Sequence, residues 1–236
     1  MNRLFVGAFT FAINFIYRDR PFCRFYVLET VGRVSYFALM SVLDFYETLG
    51  WRHYENRLKI HFAESWNELH HILIMEELSE DRTWRDRLFA RLLALFYYWV
   101  TVIVYLVNPK SAHNLVELLE EFAYRSYDTF AKENKYSLMQ QRAPQVALDY
   151  YHSGEVYLFD DFKTTLSPES CRPEIYNLYD VIIAIRNDEL EHFMTMVACQ
   201  QSDRPDLFQR LRHIIDDSQN EQNTNSEQLT IPVSRK

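Results

Sequence analysis

At 236 residues, with 48% hydrophobic and 16% aromatic side chains but only 4 glycines and 7 prolines, the chain suits one helical domain with a real core and disfavours a turn-rich strand fold. A formal net charge of -8 excludes a general nucleic-acid binder, which needs clustered lysine and arginine. The cysteines Cys23, Cys171 and Cys199 lie far apart and form no CxxC, so their spacing points to a reducing compartment and supports neither a disulfide framework nor a cysteine-based zinc site.

Residues 1–25 are basic and apolar within this acidic chain: Arg3, Arg18, Arg20 and Arg24 stand against Asp19 alone. The apolar run over residues 5–17 is shorter than the roughly 20 residues of a spanning helix. It has neither the small-residue cleavage site of a signal peptide nor the Ser-rich character of a transit peptide. Helical spacing then predicts helices over 27–51, ending near Gly50, and over 55–78. A third is predicted over 84–107, stopped by Asn108-Pro109, and a fourth over 110–134. Residues 135–172 are mixed, with short helices between Pro144, Gly154 and Pro168. A long helix over 173–200 and a short one over 205–215 precede a polar, disordered tail from about Ser218. The domain division is therefore a membrane-associating segment over 1–25, a helical domain over 26–216 and a tail over 217–236.

The third helix carries a second apolar run, Leu92–Val107, also short of a comfortable span. Arg82, Arg85, Arg87 and Arg91 precede it, and Trp84, Tyr97, Tyr98, Trp99 and Tyr105 accompany it. Arginines with amphipathic aromatics suit a lipid headgroup boundary, although a buried core helix reads the same way. Two short apolar segments with basic flanks favour a protein lying on a membrane rather than crossing it.

Two stretches repeat Glu-x-x-His: Glu68 with His71, and Glu189 with His192. On a helix, positions i and i+3 share a face, so each motif aims a carboxylate and an imidazole at one point. One such motif arises by chance; two on separate long helices carry more weight. Two further helices, each adding an inward glutamate, would complete a carboxylate-bridged di-iron or di-manganese bundle site. Glu29 and Glu120 qualify because both sit among apolar residues, where an uncompensated carboxylate is costly. The competing reading is a surface glutamate paired with a neighbour such as Arg33.

At these residues the sequence resembles the alternative oxidases, and within them the plastoquinol terminal oxidases of plastids and cyanobacteria. The resemblance covers roughly residues 24–200. It rests on Leu28-Glu29-Thr30, on His61 through His71 (HFAESWNELHH), on Met75-Glu76-Glu77-Leu78, on Glu120 through Phe130 (EEFAYRSYDTF) and on Arg186 through His192 (RNDELEH). The 69-residue separation of Glu120 and Glu189 includes a segment around Tyr150-Tyr151-His152-Ser153-Gly154 that marks the plastoquinol branch.

The resemblance implies an all-α, ferritin-like four-helix bundle holding two iron ions, with added short helices and a membrane-surface face. It implies the ligands Glu29, Glu68, His71, Glu120, Glu189 and His192, with His70 out of register. Asn67 and Asp188 are implied as supports, each bonding a histidine of the opposite motif. Tyr127, seven residues after Glu120 and on the same face, matches the family's tyrosine near the metals, an electron and proton donor during oxygen cleavage. Arg24 and Leu28 match the mouth of the quinol pocket, and Tyr105 matches another family tyrosine assigned to it. Asp44 stands where similar plant plastoquinol oxidases carry histidine, which puts any role of that histidine in doubt here.

The implied activity is oxidation of plastoquinol with reduction of oxygen to water and no proton pumping. The implied location is peripheral, on the cytoplasmic or stromal face of a thylakoid or plasma membrane, and a homodimer is among the possible states. The rival readings are a di-iron hydroxylase acting on a quinone or lipid, a ferritin-like iron store and a membrane-associated scaffold. A store needs no basic aromatic surface, and a scaffold needs no six ligands.

Overall fold

The computed structural model describes residues 1–50, 55–152 and 173–200, all within one compact unit. The predicted helix over 205–215, the polar tail and the whole of 153–172 lie outside the described residues. Among the described residues there are seven α-helices and no strand. They are α1 (Asn2–Ile16), α2 (Pro21–Thr48), α3 (Glu55–Leu78), α4 (Trp84–Val107), α5 (Pro109–Met139), α6 (Gln145–His152) and α7 (Leu178–Gln200).

Local chemistry sets the helix ends. Pro21 at the first position starts α2 six residues before the predicted start, because its fixed φ suits N1 and its missing N–H costs nothing there. The helix runs on through residues 25 and 26, where the sequence places the edge of the membrane-associating segment. It closes at Leu49, and Gly50 follows at φ 71°, the left-handed position that glycine takes most easily. Thr83 and Asp86 form a reciprocal capping box at the start of α4. Asn108 ends α4 and also caps α5, accepting a bond from the Ser111 N–H at 3.2 Å ahead of Pro109. Beyond residue 134, α5 adds a turn, because nothing before Gln140 breaks it. Asp180 accepts bonds from the Tyr176 and Asn177 N–H groups, and Asn177 accepts one from Asp180, so this cap delays α7 to residue 178.

Helix α2 lies against α3 and α4, and α5 runs along α7. The larger apolar core joins α1–α7, with Phe25, Val31, Met75, Leu119, Tyr127 and Ile185 enclosed. A smaller cluster around Tyr36, Leu39, Tyr105, Val116 and Met196 fills another part of the interior. Near the chain start, the Asn2 amide donates to the Ser111 carbonyl at 2.8 Å and joins α1 to the start of α5.

The outward sides of α1 and α4 are apolar. Leu4, Phe11 and Phe15 on α1, and Leu88, Leu92, Leu95, Trp99, Ile103 and Leu106 on α4, are exposed. Phe5 and Phe9 pack beside Tyr97, so the two surfaces adjoin. With the turns from Trp84 added to the sixteen-residue run, α4 is long and apolar enough, by length and composition, to cross a membrane. Its opposite side is buried through Ala90, Ala94, Tyr97, Thr101 and Tyr105.

Candidate metal centre

Four helices supply the expected ligands: Glu29 from α2, Glu68 and His71 from α3, Glu120 from α5, and Glu189 and His192 from α7. All six are buried to 2% exposure or less. Their donor atoms form two groups. Glu29, Glu68, His71 and Glu189 make one; Glu68, Glu120, Glu189 and His192 make the other. Within each group, one donor atom per residue lies within 4.8 Å of the rest. Glu68 and Glu189 belong to both, so each can lend its two oxygens to two cations.

The electrostatics fit such cations. Burial, and then the charge of Glu189, raise the Glu29, Glu68 and Glu120 carboxyls above the usual carboxylate range. Burial also works to raise Glu189, but the nearby His192 and His71 imidazoles outweigh it and hold that carboxyl down. Burial opposes protonation of both histidines, yet contacts to Asp188, Glu189 and Glu29 raise His71, and Glu189 lifts His192 to about 9. His71 Nδ1 is 2.9 Å from Glu189 and 3.2 Å from Glu29; His192 Nδ1 is 3.2 Å from Glu68. The Glu68 and Glu189 carboxylate oxygens have no well-formed hydrogen bond. Ionised together, the four interior carboxylates would carry four negative charges, which a protein interior resists and two divalent cations would neutralise. Carboxylate with imidazole is also the donor set that suits iron or manganese.

The supporting shell is layered. Asp188 Oδ2 sits 3.3 Å from His71 Nε2, the cross-motif bond expected of it. The Asn67 amide does not make the expected bond to the opposite motif's histidine; it reaches His71, of its own motif, through Asp188, donating to Asp188 Oδ2 at 3.0 Å and to the Tyr150 hydroxyl at 2.7 Å. Tyr151 also donates to Asp188 Oδ2, at 3.0 Å. His70 turns away, with Nδ1 on the Trp66 carbonyl and its ring stacked on Tyr150. Tyr127 donates to Glu29 Oε1 at 2.5 Å and stacks on Phe25 at 4.0 Å. The Arg24 guanidinium lies 4.9 Å from the centroid of the Phe25 ring. Leu28 is buried in the larger core. Tyr105 instead belongs to the smaller cluster, its ring 5.4 Å from His113, so Arg24 and Leu28 are gathered with Tyr127 and Tyr105 is not.

Sequence reasoning missed four participants. Tyr36 donates to Glu120 Oε1 at 3.0 Å. Gly32 lets Glu68 approach α2: a Cβ there would meet both carboxylate oxygens at 3.1 Å. Both lie on the Glu29 face, three and seven residues on, and that spacing was the available signal. Tyr150 and Tyr151 had no such signal beyond lying in the branch-marking segment.

A family model described as alternative oxidase matches residues 3–201. The chain is 51% identical over 188 residues to "Ubiquinol oxidase 4, chloroplastic/chromoplastic" of Arabidopsis thaliana, covering 80% of this chain and 54% of that protein. It is 28% identical over 186 residues to "Ubiquinol oxidase 2, mitochondrial" of Glycine max, covering 76% and 48%. For "Ubiquinol oxidase 2, mitochondrial" of Nicotiana tabacum the identity is 29% over 196 residues, covering 79% and 57%. The chain thus spans about half the length of the curated relatives it matches. The family match runs through all six of these buried carboxylate and imidazole residues, and the chain belongs to the alternative oxidase family.

Proposed function

We propose that the chain is a di-iron quinol oxidase of a plastid-type membrane, oxidising plastoquinol and reducing oxygen to water. The observation that carries this reading is the pair of four-ligand groups sharing Glu68 and Glu189, beside a tyrosine bonded to Glu29. Glu29, Glu68, His71, Glu120, Glu189 and His192 would hold the two irons, which supply redox chemistry with oxygen that side chains lack. In the balanced reaction, two quinols give up four electrons and four protons and one oxygen molecule becomes two waters.

The chain's own residues shape that reaction. Tyr127 is fully buried, and burial with the nearby Glu29 charge raises its phenol well above its ordinary value. It therefore keeps its proton until a reaction step draws on it, and Glu29 is the acceptor already in place. The Arg24, Phe25 and Tyr127 series gives a contiguous route inward for a quinol headgroup held near Arg24 and Leu28. Tyr105, in the smaller cluster, fits packing better than that mouth. A groove of about 390 Å³ between α2 and α4, lined by Thr30, Val34, Phe37, Arg91, Ala94, Leu95 and Tyr98, is mostly apolar and suits an isoprenoid tail. The exposed apolar residues of α1 and α4, with Arg85 and Arg91 beside them, support attachment to a membrane surface without crossing it. The plastid assignment rests on likeness to the chloroplastic relative.

Oxygen uptake by the iron-loaded protein with a short-chain plastoquinol, beside a Glu189→Ala variant, tests this. The expected result is rapid uptake with little hydrogen peroxide, falling to background in the variant. Uptake that persists in the variant, or none despite bound iron, overturns the oxidase reading; an oxygenated product would favour a hydroxylase.

A further inference from the structure

A second set of metal-type donors lies outside the carboxylate centre: His61 on α3, His113 on α5 and Cys199 on α7. One donor atom from each lies within 4.8 Å of the other two. Each sits seven residues from a ligand of the centre on its own helix: His61 before Glu68, His113 before Glu120, Cys199 after His192. Seven residues is two turns, so these residues share the ligand-bearing faces and form a layer roughly 10 Å along the bundle. Helix α2 contributes Tyr36 there, seven after Glu29, with its ring 6.0 Å from His61 and 5.5 Å from His192.

The histidines are prepared as ligands. The His113 Nδ1–H donates to the Pro109 carbonyl at 2.8 Å, and a carbonyl can only accept, so the lone pair of this neutral ring is on Nε2. Burial, followed by His61, lowers the His113 imidazole to about 3, so it stays neutral at working pH. His61 Nδ1 faces Glu64 Oε2 at 2.9 Å, the carboxylate–histidine pairing that orients metal ligands. Both Nε2 atoms are without a hydrogen-bond partner, on residues exposed by 0% and 1%. Two bare nitrogens in an interior are costly unless something between them answers both. Cys199, partly buried on the third side, would give up its proton on coordination; burial pushes its thiol up to about 12, and Arg57 opposes that rise.

We propose that His61, His113 and Cys199 bind one divalent cation of the Zn²⁺ class and so staple α3, α5 and α7 together. Two imidazoles and one thiolate suit this borderline-soft ion, whereas the carboxylate centre suits iron. Three protein ligands leave a fourth tetrahedral position for water. Binding releases the thiol proton and moves no electron. The inference rests on these donors alone and does not depend on the quinol reading.

The test uses the full chain with iron already loaded, titrated with Co²⁺ as a spectroscopic stand-in for Zn²⁺. A cobalt–thiolate charge-transfer band is expected at one equivalent, displaced by Zn²⁺ and lost in Cys199→Ser. The carboxylate centre contains no sulfur and cannot give that band. Cys199→Ser should keep its helical circular dichroism and its oxygen uptake. If that variant fails to fold, alkylation of Cys199 in the wild-type chain, located by peptide mass, replaces it: Zn²⁺ should slow the labelling. No band, a band that survives in Cys199→Ser, or labelling indifferent to Zn²⁺ overturns the proposal.

Discussion

The interior around Glu68 and Glu189 and the outer face of α4 reverse the usual arrangement of a globular protein in opposite senses. Inside, carboxylates are buried to 1% exposure or less; outside, Leu92 and Trp99 are 57% and 56% exposed. Helix α4 shows the contrast within one element, with Ala94, Tyr97 and Thr101 enclosed on one side and Leu92, Leu95 and Trp99 bare on the other. Each reversal calls for a compensating partner of its own kind. Buried carboxylates call for cations, and a broad exposed apolar face calls for an apolar partner, which under the proposed function is lipid. The two are linked through α2, which carries Glu29 inward while Thr30, Val34 and Phe37 line the groove toward α4.

Substitutions can separate these requirements. After removal of a ligand, the largest effect should come from Tyr127→Phe, which keeps the stack on Phe25 but removes the hydroxyl bonded to Glu29. Quinol-dependent oxygen uptake should fall about 100-fold or more while iron stays bound, in line with loss of a positioned proton donor. Unchanged turnover would remove Tyr127 from the chemistry.

Asp188→Asn weakens the second layer instead. It alters the group shared by His71, Asn67 and Tyr151. Iron retention against a chelator should drop roughly 10- to 100-fold. Retention equal to the parent would mean that His71 is held without it.

On the outer face, Leu92→Glu and Trp99→Glu should each weaken vesicle binding about tenfold or more, since burying such a side chain is worth about 1.5–3 kcal/mol. Iron content should not change, because neither residue faces the centre. Binding that ignores both substitutions would place the lipid contact elsewhere.

The smallest effect concerns a carboxylate answered by arginine rather than by metal. Asp86 accepts two hydrogen bonds from Arg20, at 2.9 and 3.1 Å, and one from the Tyr17 hydroxyl at 3.2 Å. The Arg20 bonds hold its carboxyl well below the usual carboxylate range. A carboxyl depressed in the folded state adds stability above the unfolded-state value, near pH 4, and that stability is lost as pH falls below it. Asp86→Asn should cost about 1.5–3 kcal/mol at neutral pH. Its stability curve should be flatter than the parent's in acid; an identical acid limb would show that the Arg20 contact carries no net stability.

Local sequence determined much of this protein. The bounds of α3 and α4 follow from periodicity and breakers, and the six candidate ligands follow from two Glu-x-x-His motifs, two apolar-flanked glutamates and a family resemblance. These signals are legible because a helix turns i and i+3 to one face whatever surrounds it. Tertiary structure decided which helices meet and at what height. It placed Asn67 on Asp188, closed Gly32 against Glu68 and split Tyr105 from Arg24. It also brought Cys199 to two histidines that lie 138 and 86 residues earlier in the chain. Spacing along one chain contains no zinc motif there, because donors from three helices converge only when packing fixes each helix's rotation and height.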